Sequence, residues 1–84
     1  MKTLSKKEVN RLKDEHPDLL IMDGYDDCIL GICRRFDQVF VVYSEAAVLR
    51  RLIKDGMSRD EAYEFWQFNQ LGAWVGEHTP GFVE

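Results

Sequence analysis

Residues 28–44 read CILGICRRFDQVFVVYS, two runs rich in aliphatic, β-branched and aromatic residues on either side of a polar break at Asp37-Gln38. Such runs form an antiparallel hairpin. The hairpin decides the fold class, because whatever flanks it must cover it. Apolar side chains occupy alternate positions of both kinds: Ile29 and Cys33 alternate with Cys28, Leu30 and Ile32, and Phe40 and Val42 alternate with Val39, Val41 and Tyr43. Both sheet faces are therefore expected to be covered. Gly31, in the middle of the first run, points either to a bulge or to another backbone packed closely against it.

Helices are signalled on both sides. Before the hairpin, Ser5 and Glu8 make a capping box, and Val9 and Leu12 mark the buried side of a helix over residues 6–15. His16-Pro17 ends it, since proline disfavours helical geometry in the residue before it. The chain then runs extended through Leu19 to Met22, a candidate edge strand. His16 reads as a helix-terminal or surface residue. After the hairpin, Ser44 is placed to cap a second helix. Val48, Leu49, Leu52 and Ile53 recur on its inner side, Arg50, Arg51 and Lys54 on its outer side, and Gly56 suits its left-handed stop. Ser58 and Glu61 form another capping box, opening a third helix with Ala62, Phe65, Trp66 and Asn69 on one stripe, running to Gly72. Only Gly-Met-Ser separates these two helices, so they form a tight corner.

The stretch MDGYDDCILG, residues 22–31, gathers Asp23, Asp26 and Asp27 around a glycine and a tyrosine. A calcium loop needs about six or seven oxygen ligands and a closing glutamate, which this stretch lacks. Acid–base catalysis needs two carboxylates at fixed separation in a pocket that perturbs them, which spacing alone does not give. A turn at Asp23-Gly24, with aspartate side chains accepting from nearby backbone amides, is the more economical reading.

The chain has 84 residues and a net charge of -4, with 45% hydrophobic and 31% charged residues. This suits a single small domain over residues 1–84 and argues against disorder. No apolar run approaches the roughly 20 residues needed to cross a bilayer, and the start of the chain does not resemble a signal peptide, so a cytoplasmic protein is expected. Charge is uneven: residues 1–17 carry five basic and three acidic side chains, and residues 55–84 one basic and six acidic. The balance argues against nucleic-acid binding, although Arg34, Arg35, Arg50 and Arg51 are candidates for a basic patch if they gather. The cysteines are Cys28 and Cys33. On one strand, their separation points them to opposite faces and excludes a disulfide, and with His16 and His78 they match no structural zinc pattern. No metal or cofactor is expected.

Six of the ten aromatic residues fall between Tyr63 and Phe82. Tyr63, Phe65, Trp66 and Phe68 span too wide an arc of one helix to be buried together. The tail after Gly72 is expected to fold back, with Trp74 and Val75 covering part of the third helix or the hairpin. Rings left outside make a contact surface, for which Tyr63, Phe68, Trp74, Glu77 and His78 are the candidate partner-binding residues. Asn69 is expected to hold the backbone beyond Gly72 or the aspartate loop. His78 beside Glu77 lacks an accompanying nucleophile.

The segments DGYDDCILG, VVYS and GMSRDEAYEFWQFNQLGAWVGEHTPGF, in this order, resemble a group of small, mostly uncharacterised proteins of tailed bacteriophages. The resemblance covers residues 22–82, with His78 where the group has a glycine and a variable helix over residues 1–17. It implies a phage context and a compact domain, and it supplies no reaction. The expected fold is α+β: helix, hairpin, two helices and an ordered C-terminal tail. The expected function is non-enzymatic binding of a host or phage protein. The alternatives are a small metal-dependent or acid–base enzyme using Asp23, Asp26, Asp27 and His78, or a nucleic-acid binder using the arginine pairs. Exposed hairpin edges or rings favour a homodimer.

Overall fold

The structure, a computed structural model, describes residues 2–36, 38–71 and 79–84. In chain order it comprises α1 (Lys6–Glu15), a 3₁₀ turn (Asp26–Cys28), β1 (Ile29–Arg35), β2 (Gln38–Ser44), α2 (Glu45–Lys54), α3 (Arg59–Trp66), a π-helical turn (Gln67–Leu71) and β3 (Gly81–Val83). This is the expected α+β domain. No helix among the described residues is long and apolar enough to cross a membrane.

The helix ends follow local chemistry. Ser5 and Glu8 bond each other's backbone amides at the start of α1, and Ser58 and Glu61 do the same for α3. Ser44 Oγ accepts the Ala47 amide at 3.1 Å, which joins β2 to α2 with no linker. At the other end of α2 the Met57 amide reaches Leu52 O and the Gly56 amide reaches Ile53 O. That pair of bonds is a Schellman motif, and it requires the left-handed φ of +116° that Gly56 supplies.

β2 is the central strand. β1 pairs with it antiparallel, and β3 pairs with its other edge in parallel, Tyr43 opposite Phe82. The third strand is therefore part of the C-terminal tail, and Leu19–Met22 is not a strand. The Met22 amide is taken by the Tyr43 hydroxyl at 2.7 Å instead of a strand partner, and the Ile29 carbonyl on the outer side of β1 accepts the Leu4 amide at 2.8 Å.

Gly31 marks a bulge. The register shifts between Ile29, opposite Tyr43, and Gly31, opposite Val42, and a side chain at Gly31 would meet nothing within 4 Å. The inserted residue puts Ile29 and Ile32 on one face although they are three apart, opposite Tyr43 and Val41. The strict alternation expected of the first strand is thereby broken. Cys28 precedes β1 in the 3₁₀ turn, Cys33 lies within the strand, and both are free thiols.

The core occupies one face of the sheet. Ile29, Val41 and Tyr43 pack with Val9 of α1, Val48 and Leu52 of α2, and Ala62 and Trp66 of α3. Cys33, Phe40 and Val42 on the opposite face are only half-buried and stand outside this cluster, so among the described residues the expected covering of both faces is not found. Phe40 instead lies over Gly81, where a Cβ would come within 3.2 Å of the ring, and carries the Arg35 guanidinium 5.7 Å from its centroid.

A chain of rings ties the layers together. Tyr43 stacks on Phe82 at 5.8 Å, Phe82 meets Trp66 edge-on at 5.5 Å, and Trp66 meets Tyr63 at 5.6 Å. Burial pushes the Tyr43 hydroxyl up to about 12 and the Cys28 thiol up to about 11. The unfolded chain ionises both groups earlier, so their contribution to stability is full below about pH 9 and falls as pH rises from about 9 to about 12. Tyr43→Phe keeps the ring but strands the Met22 amide. It is expected to lower stability by about 1–2 kcal/mol at pH 7 and to flatten the decline above pH 10, both read from denaturant melts across pH.

Candidate functional site

Two places hold the residues singled out from the sequence: the aspartate loop beside α1, and the outer side of α3 with its π turn.

The loop is a turn. Asp23-Gly24 reverses the chain with Gly24 at φ +87°, the Tyr25 amide bonds Met22 O, and the Cys28 amide bonds Tyr25 O. The aspartates do not serve as backbone acceptors in the expected way. Asp26 receives Lys13 Nζ at 2.6 Å, and Asp27 receives Arg51 Nη1 at 3.1 and 3.3 Å. Arg51 also reaches Asp55 at 3.6 Å and sits over the Tyr25 ring at 5.7 Å. The loop thus pins α1 and α2 to the start of β1. These pairs are part-exposed, so each contributes at most about 1 kcal/mol.

Beside the loop lies an open groove of about 510 Å³, floored by Leu4, Val9 and Ile21 and edged by Asp23, Asp26, Lys6 and Lys13. Two of its three carboxylates already face a cation, and no group of three or more His, Cys, Asp or Glu side chains able to hold a metal occurs among the described residues. His16 caps α1, its amide bonding Leu12 O, and takes no part in the loop. The arginine pairs do not gather: Arg51 is fixed to Asp27 before β1, while Arg34 and Arg35 lie at the far end of that strand. Arg51 is paired with both Asp27 and Asp55.

On α3, Ala62 and Trp66 point inward. Phe65 and Asn69, expected on the same stripe, face out, because the buried stripe is only two residues wide before the helix loosens into the π turn. Asn69 Nδ2 donates back to Phe65 O at 3.1 Å, so it serves its own helix and not the aspartate loop, while the backbone just beyond Gly72 lies outside the described residues. Tyr63 is 48% and Phe68 72% exposed, with Leu71 similarly open at 48%. These residues share a segment with Asp60, Glu61 and Glu64, giving an acidic aromatic face. Trp74, Glu77 and His78 lie outside the described residues, as does the proposed fold-back of Val75.

One exposed ring was not singled out from the sequence. Phe36 is 95% exposed and has φ +57°. The pairing of Arg35 with Gln38 leaves residues 36 and 37 as the whole hairpin connection, and two-residue connections call for positive φ. The short polar break in the sequence carried that signal.

Comparison with protein-family models, with curated proteins and with solved structures finds no match for the chain.

If the aspartates act as structural anions already paired with Lys13 and Arg51, millimolar Ca²⁺, Mg²⁺, Mn²⁺ or Zn²⁺ leaves the melting temperature unchanged. A rise of several degrees with any one of them, by calorimetry, would show a metal site at the loop.

Proposed function

We propose that this chain is a tailed-bacteriophage protein that acts without catalysis, by binding a host or phage protein in the cytoplasm of the infected cell. The observation that carries the reading is the acidic aromatic face of α3. Tyr63 on α3 and Phe68 and Leu71 on its π turn stay open to solvent, while Ala62 and Trp66 of the helix are committed to the core. Aromatic side chains exposed in this way lose little conformational freedom on docking and bury large areas, so they are the usual anchors of protein contacts. The resemblance to the phage group over residues 22–82 supports the context, and Trp74, Glu77 and His78 complete the proposed contact set.

The test is retention of a partner from bacterial lysate on the immobilised chain. A discrete protein is expected on the wild type, with loss of at least about tenfold in affinity for Phe68→Ser or Trp74→Ala, while melting shows the Phe68 variant still folded. Equal retention on wild type and Phe68→Ser, or none on either, would defeat this assignment.

A further inference from the structure

The two most exposed large apolar side chains among the described residues are Phe36 and Phe68, at 95% and 72%. Their surroundings are opposite in charge. Phe36 follows the exposed Arg34 and Arg35 and precedes Asp37 in the sequence, two bases against one acid, whereas Phe68 follows Glu64 by four residues on a segment with Arg59 against Asp60, Glu61 and Glu64. Phe36 also holds a left-handed backbone conformation, which is unfavourable for a non-glycine residue, and gains almost no burial in its own chain in return. A ring presented on a strained, basic tip and a ring presented on an acidic helix are complementary in charge and both apolar, and one chain displays both.

We propose that the hairpin tip carrying Phe36 docks on the acidic aromatic face of α3 in a second copy of this chain. The proposal rests on the reading of that face as a contact surface and names an occupant for it. Phe36 packs against Tyr63 and Phe68 of the second copy, and Arg34 lies against its Glu61 and Glu64. Arg35 remains over Phe40 and stiffens the tip. A two-fold axis makes the contact reciprocal, so two tips meet two helices in a closed dimer, and the association stops there.

Sedimentation of the full-length chain tests this, comparing wild type, Phe36→Ala, Phe68→Ala and an equimolar mixture of the two variants. The wild type is expected to be a dimer that weakens on going from about 50 mM to about 500 mM salt, because opposite charges face each other across the contact. Each substitution is expected to raise the dissociation constant at least about tenfold. The mixture associates more tightly than either variant alone, since a mixed dimer keeps one intact tip and face. Both positions are exposed, and unchanged circular dichroism confirms that the variants fold. A monomeric wild type, or a dimer indifferent to Phe36→Ala, overturns the proposal. A dimer lost only with Phe68→Ala overturns the tip as occupant while leaving the α3 face as a contact surface.

Discussion

Tyr43 is the residue on which the rest of the structure depends. It sits on the central strand with no exposed surface, stacks on Phe82 of β3, and takes the Met22 amide on its hydroxyl. A single side chain thereby joins three segments that are distant in sequence: the loop before β1, the open end of the hairpin and the C-terminal strand. Through Phe82 the same contact extends to Trp66 and so to α3. A buried phenol satisfied by a backbone amide is stable inside a small core, whereas the same hydroxyl without a partner would carry a desolvation cost. The aromatic column explains how a chain of this length closes a core against a sheet with one face left half-open.

What was legible in the sequence was what depends on neighbours a few residues apart. The capping boxes at Ser5 and Ser58, the cap at Ser44, the Gly56 stop and the two strand runs each have a local cause, and each lies where the spacing puts it. What was not legible depends on distant partners. Gly81–Val83 becomes a strand only because β2 has a free edge and Phe82 finds Tyr43. The bulge at Gly31 rephases β1 so that Ile29 and Ile32 share a face, which a period of two does not foresee. The π turn swings Asn69 to the outside, where it bonds its own helix.

The candidate sites divide in the same way. That the aspartate loop turns the chain could be inferred from Asp23-Gly24 alone, but its pairing with Lys13 and Arg51 arises from α1 and α2 meeting there, a tertiary fact. Exposure of Tyr63 and Phe68 followed from the width of the aromatic arc, because no helix can bury side chains all round against a single neighbour. Exposure of Phe36 followed from register, and register is fixed by which side chains the core accepts.

The most direct measurement of the role given to Tyr43 is amide hydrogen exchange of Met22 in the wild type and in Phe82→Ala. Met22 lies in an irregular loop, yet its amide should exchange as slowly as those of β2, and removing the Phe82 ring should release Met22, β2 and α3 together. Rapid exchange of Met22 in the wild type, at the rate of its neighbours in residues 19–21, would contradict the claim that the Tyr43 hydroxyl holds this segment to the sheet.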